Sequence, residues 1–175
     1  MANIRAARVE DVEGIQQVFY ITWLSTYPNE ECGITTEDVH DRFKDVMSPE
    51  RLEKRRRDIG DKASSKQLFV AVVDEQIVGV CRVSKEELHN KLDALYVLPE
   101  YQGQGIGTAL WKGALIYLGT HKDILVAVAT YNTKAIAFYA RRGFVDTDRR
   151  FIEERLQMKS GSNIPQMEMV LKAEL

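Results

Sequence analysis

Residues 101–108 read YQGQGIGT, and the reading of those three alternate glycines, Gly103, Gly105 and Gly107, decides the fold. Glycine costs roughly 0.5–1 kcal/mol relative to alanine inside a regular element. The stretch before it, KLDALYVLP (91–99), has the alternation of a strand and is closed by Pro99. The stretch after it carries helical spacing from about Gly105 to Leu118, with Gly119 as the stop. Glycines placed between a strand and a helix bring bare main-chain N–H groups to the surface, and the helix start adds unpaired donors and a positive dipole end. That combination suits a phosphate. It is not a P-loop, since no Lys follows the last glycine, and not a dinucleotide fingerprint, since Thr108 stands where the third glycine is required.

Working outward, residues 3–8 read as a short strand. Val12, Ile15, Val18, Phe19, Thr22 and Trp23 then recur at helical spacing, with Asp11 placed to cap. A second helical region opens at TTEDVHDRF (35–43), where Thr35 or Thr36 caps, and runs past a break at Ser48-Pro49 through SPERLEKRRRDIGD (48–61). QLFVAVVDEQIVGVCRVS (67–84) contains two strands joined by a hairpin-length turn at Asp74-Glu75-Gln76. DILVAVAT (123–130) reads as a buried strand, NTKAIAFYARRG (132–143) as a helix ending at Gly143, and FVDTDRRFI (144–152) with QMEMVLKAE (166–174) as a final strand pair. The order predicts an α/β (α+β) fold, a mixed sheet covered by helices.

The chain of 175 residues suits one domain, with a helical region over about 9–60 and a core over about 66–145. Lys and Arg number 24 against 26 Asp and Glu, a formal charge of −2, which argues against a general nucleic-acid binder. The N-terminus has no apolar secretory segment and no run reaches the ~20 apolar residues of a membrane span. Cys32 and Cys81 form no CxxC pair, so a cytoplasmic, reduced chain is expected. The three histidines show no metal spacing.

The run from Gln102 to Gly107, in the pattern Arg/Gln-x-x-Gly-x-Gly/Ala, closely resembles the acetyl-coenzyme A signature of the Gcn5-related N-acetyltransferases (GNAT family). The block VATYNTKAIAFYARRGF (128–144) resembles that family's strand–Asn–helix segment. The resemblance implies a mostly antiparallel sheet splayed in the middle, with acetyl-coenzyme A in the gap and a primary amine, small or a polyamine, as acceptor. The alternatives are a peptide N-terminal or lysine acetyltransferase and a coenzyme-binding module without turnover. Main-chain groups near Leu95, Tyr96 and Val97 would hold the pantetheine arm, and the N–H groups of Gln102, Gly103, Gln104, Gly105, Ile106, Gly107 and Thr108 the pyrophosphate.

By the same resemblance Asn132 would bond the coenzyme arm, although Asn is also a good helix cap. Phe138 and Lys134 lie beside the site, with Arg141 and Arg142 as further phosphate partners. Tyr139 matches the family's general acid, against a packing role beside Phe138; Asp93 is the candidate base, against a solvent-facing strand position. Trp23, Tyr27, Glu30 and Glu31 would wall the acceptor pocket, aromatics and carboxylates suiting a cationic amine. WLSTYP (23–28) also looks like the PaiA-type members, which act on polyamines. The run RLEKRRRD (51–58) is expected to be a solvated helix face, and exposed C-terminal strands could pair across a homodimer.

Overall fold

The computed structural model describes residues 2–174. Its elements are β1 (Asn3–Ala6), α1 (Val12–Thr26), α2 (Thr36–Phe43), α3 (Pro49–Gly60), β2 (Lys66–Val73), β3 (Gln76–Lys85), β4 (Asn90–Val97), α4 (Ile106–Leu118), β5 (Ile124–Ala129), α5 (Thr133–Ala140), β6 (Val145–Ile152) and β7 (Pro165–Leu171). The strands form one seven-stranded sheet in the order β1-β2-β3-β4-β5-β7-β6. All neighbours are antiparallel except β4 and β5. The expected mixed, mostly antiparallel sheet flanked by helices is therefore observed. No helix among the described residues is long and apolar enough to cross a membrane.

Local chemistry explains the boundaries. Thr35 and Asp38 close a capping box on α2, the Thr35 hydroxyl accepting from the Asp38 N–H and the Asp38 carboxylate from the Thr35 N–H. Ser48 caps α3 and Pro49 occupies its first turn. The β2–β3 hairpin turns on Asp74 and Glu75, both at positive φ (46° and 65°), which matches the twist of the flanking strands. The stripe Val12, Ile15, Val18, Phe19, Thr22 and Trp23 is buried on α1, which packs on β3 and β4, while α4 packs across β1 to β4.

The Asp11 side chain does not cap α1. It turns back to accept the Arg8 N–H at 2.7 Å and both Arg5 guanidinium nitrogens at 2.6 and 2.8 Å, tying β1 to the start of the helical region. The bond from Arg5 is the largest cause holding this carboxyl below the ordinary aspartate range. A depressed acid stabilises the fold above its unfolded pKa and loses that contribution as pH falls through its folded value. Asp11→Asn is therefore expected to cost roughly 1–2 kcal/mol at pH 7. The gap from the parent protein, measured by urea unfolding, should narrow as the pH drops below about 4.

Candidate functional site

The site begins with a fault in the sheet. Arg82 of β3 pairs with Ala94, but Val83 pairs with Leu92, leaving Asp93 as the extra residue of a β-bulge. Such a bulge bends its strand and re-aims the side chain. On the other edge, β4 pairs with β5 only through Asn90–Ile124, Lys91–Leu125 and Leu92–Val126. Beyond that seam Asp93–Val97 and Ala127–Ala129 part company, and a cleft of about 810 Å³ opens between them. The Leu98 N–H bonds the Val78 carbonyl across β3 at 2.9 Å. By strand alternation the main-chain groups of Leu95 and Val97 then face away from β3, into the gap. The Gln102 amide reaches back to the Val97 carbonyl oxygen at 2.9 Å.

The glycine turn forms the far end of the cleft. Gly103 and Gly105 sit at φ +77° and +80°, and a Cβ built on either would meet nothing within 4 Å. These positions need glycine for their left-handed backbone, not for want of space. Among the described residues no protein acceptor takes the main-chain N–H of any residue from Gly103 to Thr108. Gly107 has a packing reason as well, since a Cβ there would press on the Phe138 ring at 3.3 Å. Arg142 stacks 3.3 Å from the centre of that ring, donates to the Phe138 carbonyl at 2.7 Å and hydrogen-bonds the Thr108 hydroxyl, so α5 is locked to the first turn of α4. A cradle of orphaned donors, with open space in front and cationic Lys134, Arg141 and Arg142 beside it, fits a diphosphate.

Two of the loop residues contribute backbone alone. Ile106 is buried in the core, and the Gln104 amide turns to the Glu100 carbonyl. Asn132 lines the cleft, yet its side-chain oxygen accepts the Ala135 N–H at 3.1 Å and caps α5, leaving its NH₂ group as the available donor. Tyr139 is only 6% exposed and lines the cleft, and its hydroxyl has no protein partner among the described residues. Burial, with lesser contributions from Cys81 and Tyr96, raises this phenol far above its ordinary pKa. Burial likewise raises the Cys81 thiol, which keeps it protonated and leaves it a core side chain rather than a nucleophile.

A second cavity, of about 1060 Å³, meets the cleft at Tyr27, Leu92, Asp93, Ala94, Tyr96, Val126 and Ala127. Tyr27 and Tyr96 share a hydrogen bond of 2.8 Å, and Tyr131 donates to the Tyr27 carbonyl at 3.0 Å, so aromatic side chains frame the junction. Asp93 is exposed there, at the mouth of both spaces. Trp23 and Tyr27 line the second cavity. Glu30 and Glu31 do not. They stand exposed at the tip of a turn closed by the Asn29–Ile34 bridge and line neither cavity.

Sequence reasoning missed the charge of this groove. Most of the run 51–58 is exposed, as a solvated face would be, but the half-buried Arg55 and the exposed Arg51 border the groove, joined by Arg42, Arg82 and residues from β6 and beyond. A signal was present, because Arg55 falls one turn after the buried Leu52 on the inner stripe of α3.

A profile of the acetyltransferase (GNAT) domain matches residues 24–160. The chain belongs to the GNAT acetyltransferase family. It is 34% identical over 88 residues to the peptidyl-lysine N-acetyltransferase YjaB of Salmonella typhimurium, a match covering 50% of this chain and 56% of that protein. The matched stretch thus spans little more than half of that relative's length. The fold superposes on the PaiA N-acetyltransferase of Thermoplasma acidophilum, solved with coenzyme A, with a TM-score of 0.76 at 22% identity over 99% of both chains. It superposes on YncA of Salmonella typhimurium, solved with acetyl-coenzyme A, with a TM-score of 0.67 at 18% identity over 100% of this chain and 95% of that one.

Proposed function

We propose that this chain transfers the acetyl group of acetyl-coenzyme A, the family's donor, to a primary amine in a direct ternary complex. The observation that carries the reading is the continuity of three features. They are the orphaned N–H groups of the glycine turn, the open strand edges of β4 and β5, and the free Tyr139 hydroxyl where the cleft nears the groove. Leu95 and Val97 offer main-chain partners to an extended amide chain, whereas Tyr96, also expected to do so, turns its main chain to Val80 of β3. Gln102 gives its N–H to the Pro99 carbonyl, so residues 103–108 hold the diphosphate, with Lys134 and Arg142 adding charge. Bound there, the coenzyme supplies an activated thioester whose sulfur leaves as a thiolate.

Tyr139 is a neutral phenol at physiological pH, as any unshifted tyrosine is, and burial holds that form more firmly, so its proton is in place for the departing sulfur. Asp93 sits at the shared mouth, aimed by its bulge, and takes the proton of the incoming ammonium directly or through water. Holding both reactants across one junction supplies much of the acceleration. Cys81 is not required, and no covalent acetyl-enzyme forms.

The acceptor class is tested by incubating the protein with acetyl-coenzyme A and a panel of amines while following thiol release. Amine-dependent release is expected. Tight coenzyme binding with no release from any amine would favour the non-catalytic module. Within the panel, the relative named as a peptidyl-lysine acetyltransferase supports a peptide amine, and the resemblance to PaiA-type members supports a small polyamine. The cationic groove weighs against a polycation.

A further inference from the structure

The acceptor groove holds an excess of unpaired positive charge, and that excess has a place. Four of its cations are neutralised within the protein: Lys91 by Glu86, Arg149 by Glu168, Arg155 by Glu153 and Lys159 by Asp41. Arg42, Arg51, Arg55 and Arg82 have no carboxylate within 4.0 Å among the described residues. Asp93 is the groove's only carboxylate without such a cation partner among them.

The arginines are built in, not merely present. Arg55 and Arg82, from α3 and β3, approach the same Phe19 ring, their guanidinium carbons 5.6 and 5.9 Å from its centre. Arg42 lies 4.9 Å over Trp23 and is anchored by a 3.0 Å bond to the Arg155 carbonyl. Arg55 donates to Gln16, itself only 5% exposed, at 3.3 Å. Burial chiefly, and the neighbouring Arg82 next, push Arg55 below the ordinary arginine range, with Asp58 opposing them. Gln166, also 5% exposed, lines the groove with a buried side-chain NH₂ that has no acceptor. Two forked cations at one aromatic floor call for an anion with several acceptor oxygens.

We infer that the acceptor amine carries an anionic group, a carboxylate or a phosphate, which the Arg55–Arg82 pair holds while its amine lies at Asp93. This rests on the acetyl-transfer reading and narrows its substrate class. Arg82 pairs in register with Ala94, the residue after the bulge, so the anion site and the candidate base lie on adjoining strands. A short amino acid or aminoalkyl phosphate spans that separation, and so does a peptide whose acidic side chain follows its amine. A diamine would place a second cation against the arginines.

The test compares amines matched in length: 4-aminobutyrate, butylamine and 1,4-diaminobutane; aminoethyl phosphate and ethanolamine; and short peptides with Glu or Gln after the N-terminal residue. In thiol-release assays kcat/KM should favour the anionic member of a set by about tenfold to a hundredfold, the worth of one charge-assisted bond. Preference within the small molecules or within the peptides identifies the source of the anion. Arg55→Gln and Arg82→Gln, which remove the charge and leave a shorter side chain with an amide donor, should shrink that ratio toward one, chiefly through KM of the anionic amine. Equal use of all three charge types, preference for the diamine, or a ratio that survives in the double variant would overturn the inference. If no amine releases thiol, the acetyl-transfer reading falls and the anion site is judged alone. Calorimetric titration with glutarate should then show binding that the double variant loses, and identical titrations would end it.

Discussion

Replacing Tyr139 by Phe is expected to lower kcat by about 10²–10⁴-fold, the usual worth of a positioned general acid, while coenzyme affinity stays the same. The ring is buried between Phe138 and Phe144, with centroids 5.4 and 5.5 Å away, and Phe preserves those contacts. The hydroxyl has no protein partner to lose among the described residues, so its removal leaves no broken network behind. That makes the substitution clean, because a fall in rate cannot be charged to unfolding. Coenzyme affinity by calorimetry and turnover by thiol release separate the two effects. Wild-type turnover in the variant would assign the proton to another group.

The second large effect lies at the other end of the cleft. Gly105→Leu is expected to reduce coenzyme affinity by at least about a hundredfold, since each lost charge-assisted hydrogen bond is worth roughly 1.5–3 kcal/mol. Gly105 has φ +80° and nothing within 4 Å of a built Cβ. A larger residue therefore meets no protein wall and pays mainly the left-handed penalty of about 1–2 kcal/mol. Its side chain instead occupies the space before the N–H groups of the first α4 turn. Circular dichroism should report a folded protein, and unchanged calorimetric affinity would remove the diphosphate from this turn.

The parts of the molecule that were legible in its sequence are those whose chemistry is local. YQGQGIGT carries its own backbone requirement, and Thr35, Ser48 and Gly119 mark helix ends with their own side chains or lack of one. Asn132 carried two roles in one residue type; the cap is visible as a bond to Ala135, while a coenzyme contact belongs to the proposal. Glu30 and Glu31, which only the resemblance assigns to the pocket wall, line neither cavity. The tight turn after α1 points them outward. The groove itself gathers residues from α1, α2, α3, β3, β4, β5 and the β6–β7 region, and no window of sequence displays that assembly. Asp93 was legible as an acid in a strand, but the bulge that aims it depends on the register with β3.

The three-pair seam between β4 and β5 has a mechanical consequence. On one side β1 to β4 are laced by long hairpin ladders, and on the other β5, β7 and β6 form their own ribbon, so the sheet's own ladder joins the halves through only three residue pairs. A ligand lying in the gap and bonding both edges becomes a crossbeam. Its binding energy is added to the cohesion of the two leaves, about 2.7 kcal/mol when the ligand stands at a hundred times its Kd. In the cell, where a donor is also a strut, supply of the activated acyl carrier sets the protein's durability together with its rate.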